Sequence, residues 1–483
     1  MDKSTGQRIA IGRMAQMGAD DARKVANAAH VAWDTGRGVW PQMSMKERIQ
    51  HIEKLVAALK LKRDDIIQVL MWEICKNTAD AAAEFDRTIL FIDALIKEIQ
   101  STIETEGDYK LVSGIRAKYR RNAVGVMLAL GPFNYPFNET YTTIIPALLM
   151  GNVVVMKIPG VGGLAHVLTM EAYASALPPG VVNFISGEGR TTMGPVMESG
   201  VDIFSFIGGS KAADALLVSH PHPHRLRVFL SLEGKNLGIV TGDADVDVAA
   251  EQCILGSTTY NGQRCTAIKL IFCHESVSAA FLANLSARVA KLKSGLPWEA
   301  GVAITPLPEP GKIAFLQALI TDATEKGAQV VNASNGGGEV SGAIMKPAVV
   351  APVNISMRLW HEEQFGPVVP VAVYKNIEEV YDYIRKMPYG QQAAIFSNNA
   401  EESAEIVDVL STAVGRININ TQCGRSPDVL PFSGRRSSAN GTLSVSEALK
   451  QFSIETVVAA KASETNEAIL KDIDAKSKFL ALL

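Results

Sequence analysis

The sequence predicts an α/β protein: two Rossmann-type α/β domains in series, with a small β element outside both. Three observations carry this. A chain of 483 residues exceeds what one hydrophobic core accommodates, because cores stop growing at about 250–300 residues. Short apolar runs alternate with helical stretches, the pattern of a parallel sheet with crossover helices. Two β-like segments, at about 109–121 and 451–460, stand apart from that alternation.

Residues 19–105 read as helical, with apolar residues at helical spacing in Asp21–Trp33, Met45–Leu61 and Ala81–Ile103. Tyr109–Arg121 alternates like a strand. A buried strand is predicted over Val124–Leu130, a helix over Tyr141–Leu149 and a strand over Val153–Lys157. A helix over Leu164–Ala176 and strands over Val182–Ile185 and Ile203–Phe206 complete the first set. A second set opens at Leu237–Val240. It continues through a helix at Asp247–Ser257, a strand at Lys269–His274 and a helix at Ser278–Lys293, to about Val414. Gln451–Ala460 is β-like again, and Asn335–Gly338 reads as a surface loop. The expected division is 1–108 with 125–232 for the first domain, 233–445 for the second, and 109–124 with 446–465 for the β element. Strands with an apolar face need a cover. Either they pair with each other inside one subunit, or they serve assembly into a homodimer or homotetramer.

Hydrophobic residues make up 47% of the chain and charged residues 20%. Large cores can therefore be buried, while the charge is too frequent and too mixed for a membrane protein. Apolar stretches such as Ile144–Met150 are far too short to span a bilayer. A net charge of −3 and a pI of about 6.3 argue against a nucleic-acid binder, which needs a basic stripe. The N-terminus leads into no apolar core of signal-peptide type. The five cysteines (Cys75, Cys253, Cys265, Cys273 and Cys423) form no CxxC pair. No zinc or thioredoxin motif is indicated, and a cytoplasmic location suits them. His220-Pro221-His222-Pro223-His224 reads as a proline-stiffened surface loop, and no metal site is expected.

Cys75, Cys253 and Cys273 lie in helical or strand patterns and read as small core residues. Cys265 differs. It stands in the polar turn Asn261-Gly262-Gln263-Arg264-Cys265-Thr266, where Gly262 permits a tight bend. The thiolate is the reactive form of cysteine, and adjacent Arg264 would favour it. Elsewhere, Gly131-Pro132-Phe133-Asn134-Tyr135-Pro136 ends a buried strand and opens a helix. That is the carboxyl edge of a parallel sheet, where ligands bind in such folds. An oxyanion formed by attack of Cys265 on a carbonyl needs preorganised donors. The Asn134 amide and the Cys265 backbone N–H would supply two, unless Asn134 merely caps the helix.

These segments, with Gly151-Asn152-Val153-Val154-Val155-Met156-Lys157, resemble the aldehyde dehydrogenase superfamily. Phe206-Ile207-Gly208-Gly209-Ser210 is similar to its Phe-Thr-Gly-Ser motif, and Glu362-Glu363-Gln364-Phe365-Gly366-Pro367 to its Glu-Glu-x-Phe-Gly-Pro. Pro431-Phe432-Ser433-Gly434 is similar to its Pro-Phe-Gly-Gly. The matches fall in family order over nearly the whole chain. Around Cys265 and in Arg425-Ser426-Pro427-Asp428 they look most like the non-phosphorylating, NADP-dependent glyceraldehyde-3-phosphate dehydrogenase branch.

The resemblance implies that the first domain binds cofactor, the second is catalytic, and the β element serves oligomerisation. It implies Cys265 as nucleophile and Asn134 as oxyanion donor. Pro132, Phe133, Lys157, Gly187, Phe206, Gly208, Gly209, Ser210, Glu363 and Phe365 are the expected cofactor residues. A Glu often stands three residues after the strand-end Lys in this family and binds the adenosine ribose hydroxyls. Here that position is Gly160, so nothing repels a 2′-phosphate. NADP is therefore favoured, with NAD possible, unless Lys157 is only a solvated strand-end residue. A small-molecule aldehyde, glyceraldehyde 3-phosphate or similar, is the implied substrate. Tyr135, Arg264 and Arg425 are the candidates for its phosphate, since arginine gives bidentate recognition. The alternative is that Arg264 only tunes the thiol and Arg425 is an exposed loop residue.

The sequence departs from the family at the general base. The first Glu of the family's Glu-Leu-Gly-Gly-Lys is Ser231 here, and Glu233 stands two positions on, at a family Gly. Residues two apart on a strand share a face, so Glu233 is expected to enter the site, displaced. It is the candidate base; the alternatives are another group or an ordered water chain in that role, thioester release to coenzyme A, or an impaired relative that binds cofactor only.

Overall fold

The computed structural model describes residues 9–481. Four helices open the chain: Ala19–Trp33, Met45–Lys60, Arg63–Glu73 and Thr78–Glu106. The expected α/β alternation follows and builds two sheets. In the first, the order is Ala439–Asn440, Arg227–Ser231, Ile203–Ile207, Val126–Leu130, Val153–Lys157, Val182–Ile185. All pairings are parallel except that of Ala439–Asn440 with Arg227–Ser231. The second sheet runs Gln329–Val330, Ala348–Ala351, Val368–Tyr374, Ile268–His274, Asn236–Val240, Gln392–Phe396, Arg416–Ile419, and is parallel apart from its first strand.

The strands read as continuous apolar runs because helices cover both faces. Val126–Ala129 and Val153–Met156 are fully buried. The first sheet reverses its winding at Val126–Leu130, which pairs with the next strand in sequence on one side and with Ile203–Ile207 on the other. A crevice opens at the carboxyl end of such a switch point. Gly131–Asn134 and Gly208–Gly209 lie there.

The helix predicted over Tyr141–Leu149 begins five residues earlier, at Pro136. Proline suits a first helical position. The Glu84 carboxylate, distant in sequence, accepts from the backbone N–H groups of Phe137 (2.9 Å) and Asn138 (3.1 Å). The tail differs too: Val445–Gln451 is a helix, and the strand runs over Ile454–Lys461. That strand pairs antiparallel along its whole length with Ile115–Asn122, which also pairs with Lys110–Val112. The β-like segments thus pair with each other inside one subunit. Leu111, Val112, Ile115, Ile454 and Val457 remain exposed on them. The short strand Ala439–Asn440, expected in the second domain, joins the first sheet. Among the described residues no helix is long and apolar enough to cross a membrane.

Candidate active site

One cleft of about 770 Å³ gathers most of the expected residues. Cys265, Asn134, Glu233, Pro132, Phe133, Gly208, Gly209, Glu363, Phe365, Tyr135, Arg264 and Arg425 all line it, although they span almost 300 positions of chain.

The turn that leads to Cys265 is held from below. After the helix Val246–Thr258, Tyr260 and Asn261 adopt left-handed backbone (φ 50° and 56°) and Gly262 follows at 71°. A side chain at Gly262 would collide with the backbone of Ser257 and Gly366. The Cys265 carbonyl accepts from Asn236 Nδ2 (2.7 Å) and Lys269 Nζ (3.0 Å). Cys265 is partly exposed at the cleft. Burial of its sulfur nevertheless pushes the thiol above its ordinary pKa, and the Glu139 charge pushes it further; Lys269, Arg425 and a hydrogen bond with Gln391 oppose. The expected activator is corrected here. Arg264 turns its Nη2 away, to the Gly256 carbonyl (3.0 Å) and Gln422 Oε1 (3.4 Å), so Lys269 and Arg425 are the cations that favour the thiolate.

Asn134 does not cap the helix. The cap residue is Tyr135, which makes no side-chain capping bond. Asn134 Nδ2 instead donates to the Gln263 carbonyl at 2.8 Å, on the turn that leads to Cys265.

Glu233 faces the cleft but is placed by the turn after the strand, which ends at Ser231. Strand alternation therefore does not govern it. Its Oε1 accepts from Ser210 N (2.9 Å) and Ser210 Oγ (3.1 Å), at the start of the helix Ser210–Ser219. Its Oε2 is buried and, among the described residues, has no hydrogen-bond partner. Ser231 also lines the cleft.

Glu363 Oε1 accepts from Lys269 Nζ (2.7 Å) and Gly234 N (3.1 Å). Lys235, which burial and the neighbouring Lys269 hold down to about 7, donates to Glu362 O (2.7 Å) and Gln364 Oε1 (2.9 Å). These contacts fasten the loop of Glu363 and Phe365. Phe365 meets Phe133 edge-on at 6.0 Å.

Four expected cofactor residues do not line the cleft. Phe206 is buried beneath Gly208, where a side chain would strike the ring at 2.6 Å, so it shapes the turn. Gly187 is covered by the backbone of Met17, which a side chain there would meet at 2.5 Å. Ser210 is engaged by Glu233. Lys157 stands at its strand end with Nζ on the Ile158 carbonyl (2.6 Å), and burial lowers its pKa. Among the described residues nothing stands within 4 Å of a Cβ placed on Gly160. Gly208 and Gly209 line the cleft, whereas Gly160 lines a separate pocket together with Glu73, whose carboxylate accepts from Gly163 N (3.0 Å) and Leu164 N (2.9 Å).

Arg425 is buried, not an exposed loop residue. It pairs with Glu139 and lies 3.5 Å from Asp428, yet its Nη2 has no hydrogen-bond partner. Arg87 and Glu139 are among the cleft residues that escaped the sequence reading. Arg87 binds Asp428 through two bonds (2.6 and 2.8 Å), and Glu139 lies in the first turn of the helix after Asn134. The sequence signal for Arg87 was only one charge on a helix. His220, from the histidine run, is buried with Nε2 beside the Val201 carbonyl (2.9 Å).

Residues 2–458 match the profile of the aldehyde dehydrogenase family. The NADP-dependent glyceraldehyde-3-phosphate dehydrogenase of Streptococcus equinus is 33% identical over 468 residues, covering 95% of this chain and 94% of that one. The 3-sulfolactaldehyde dehydrogenase of Pseudomonas putida is 27% identical, covering 91% and 88%. Among solved structures, the NADP-dependent glyceraldehyde-3-phosphate dehydrogenase of Bacillus halodurans, complexed with NADP, superposes with a TM-score of 0.86. It is 29% identical, and 94% of each chain is covered. With a thiol and an amide converging in the switch-point crevice, and with the similarity running from end to end, the chain belongs to the aldehyde dehydrogenase family.

Proposed function

We propose that this enzyme oxidises glyceraldehyde 3-phosphate, or a similarly small anionic aldehyde, to the acid with NADP. The observation that carries the reading is the reach of the Asn134 amide onto the turn of Cys265 within one cleft. The Cys265 sulfur attacks the aldehyde carbon, forming a C–S bond while the carbonyl oxygen becomes an oxyanion. The Cys265 N–H and the second Asn134 N–H are the donors for that oxygen. When bound, NADP supplies the hydride acceptor that turns the adduct into a thioester. Water then adds to the thioester carbon, the C–S bond breaks, and a base takes the water's proton. Glu233 is assigned that role, because its side chain lines the cleft and its Oε2 is not engaged by any donor among the described residues. At the other end, Arg425 offers an unpartnered donor beside Arg87, with Arg264 and Tyr135 completing the wall. An anionic group on the substrate is the natural partner for such donors. The relatives named for NADP, together with Lys157 and the open position at Gly160, support that cofactor.

Ser231 in the family's carboxylate position favours one second reading, in which coenzyme A takes the acyl group. NADPH formation from glyceraldehyde 3-phosphate, with and without coenzyme A, separates the two. Cys265→Ser abolishes turnover under either reading, and full activity in that variant would refute both. Five free cysteines suit a reducing, cytoplasmic location. The exposed apolar residues of the three-stranded sheet suit burial against a second copy in a dimer or tetramer, which light scattering would measure.

A further inference from the structure

Behind the cleft lies a cation that the proposed reaction does not use. Lys76 is fully buried and Glu84 almost so, and the two form an ion pair. Burial pulls the Lys76 ammonium below the usual lysine value, and Glu84 opposes this. Lys76 Nζ stands 3.2 Å from the centroid of the Tyr135 ring and 4.9 Å from that of Tyr260. The two rings meet edge to face at 6.0 Å. Tyr135 directly follows Asn134, and Tyr260 opens the left-handed turn that leads to Cys265. Tyr260 is itself tied back, its hydroxyl donating to the Ile74 carbonyl at 2.8 Å. Glu84 accepts from Phe137 N and Asn138 N, fixing the same Asn134 loop from its other side.

A buried ion pair is a poor device for stability alone, because apolar residues of similar size often do as well or better. It is a good device for geometry when each partner grips a different loop. A cation between two aromatic faces is attracted to both, and more strongly when desolvated. We infer that Lys76, paired with Glu84 and held between the Tyr135 and Tyr260 rings, is a positioning residue that keeps the Asn134 loop and the Cys265 turn in catalytic register. The inference rests on the roles proposed for Cys265 and Asn134. Displacing reacting groups by about 1 Å costs on the order of 10²-fold in rate, so the clamp acts on kcat while leaving cofactor binding in place.

The test uses the full-length enzyme. Lys76→Met/Glu84→Gln removes both charges together and leaves a carbonyl on residue 84 to accept from the helix. Tyr260→Leu removes one π face, and Tyr260→Phe keeps the face while losing the hydroxyl. Folding is followed by thermal unfolding and NADP binding by fluorescence titration. The expected result is NADP affinity within about threefold of wild type in folded variants. The kcat of the double variant falls by about 10²-fold with little change in KM, and Tyr260→Leu is at least about tenfold slower than Tyr260→Phe. A folded double variant with wild-type kcat would overturn the clamp. Should the double variant not fold, equal kcat in Tyr260→Leu and Tyr260→Phe would overturn it. Cys265→Ser run alongside separates the failures. Activity in that variant refutes the underlying reading, whereas its inactivity leaves the clamp to be judged on the tyrosine pair.

Discussion

The side-chain amide of Asn134 donates to the carbonyl of Gln263 at 2.8 Å, a contact between residues 129 apart in the chain. It fixes the amide plane relative to the turn that carries Cys265. One N–H is occupied by that bond and the other is left for a ligand oxygen. Losing a donor of this kind costs about 10²–10³ in kcat. Asn134→Ala is expected to show that loss with a much smaller change in KM, in steady-state assays of NADPH formation. An unchanged kcat would remove Asn134 from the oxyanion site.

The thiol of Cys265 is pushed up by burial first and by Glu139 second. A raised pKa means that the neutral thiol predominates below it, and that thiolate appears only as pH rises through it. Glu139→Gln removes a negative charge and releases Arg425 from its partner, and both changes favour the thiolate. Its iodoacetamide alkylation curve should therefore shift to lower pH. Lys269→Met removes a favourable cation and should shift the curve the other way. Coincident curves for all three proteins would show that the sulfur does not sense these charges.

Arg425 carries an unpartnered buried donor, and Arg87 lies beside it across Asp428. Arg425→Lys keeps the charge but loses the fork. A charged hydrogen bond lost on one side corresponds to about 1.5–3 kcal/mol, or roughly ten- to a hundredfold. KM for glyceraldehyde 3-phosphate should rise by that factor, with KM for unphosphorylated glyceraldehyde nearly constant. Equal effects on both aldehydes would place the phosphate elsewhere.

What the sequence reveals about this site depends on how local each signal is. Asn134, Cys265 and Phe365 stand in short turns whose glycine, proline and polar content is visible in the chain itself, and all three line the cleft. The strands themselves are legible as apolar runs, because a sheet covered on both faces leaves that mark. Arg87, Glu139 and Lys76 gain their meaning only from partners far away: Asp428 is 341 residues from Arg87, and Glu139 meets Arg425 across 286. No periodicity encodes such a pairing. The early start of the helix at Pro136 has the same origin, since its first-turn N–H groups donate to the distant Glu84. Gly187 looks like an open phosphate turn until the Met17 backbone is seen lying over it.

Glu233 has two consequences that separate cleanly. Its Oε1 sits on the N-terminal N–H of the helix Ser210–Ser219, a place suited to an anion such as a cofactor phosphate. Glu233→Gly should free that end and tighten NADP by about 1 kcal/mol, roughly fivefold in Kd, in fluorescence titrations. Glu233→Gln tests the base. A burst of one NADPH per site should survive, while steady-state turnover falls by about 10²–10⁴-fold. Unaltered turnover would pass the base role to another group in the cleft.

The preference between cofactors turns on Gly160. Among the described residues a Cβ there meets nothing within 4 Å, and the backbone lies outside the left-handed region, so a side chain can be borne there without backbone strain. A glutamate carboxylate would stand near the end of the strand carrying Lys157, opposing a 2′-phosphate while offering hydrogen bonds to a free ribose hydroxyl. Gly160→Glu is therefore expected to raise KM for NADP by about tenfold, the equivalent of roughly 1.4 kcal/mol, and to lower or preserve KM for NAD. Lys157→Ala should weaken NADP more than NAD by the same logic. If both substitutions change the two cofactors equally, the 2′-phosphate does not lie at this strand end, and the contrast between Gly160 and Lys157 has no bearing on selectivity.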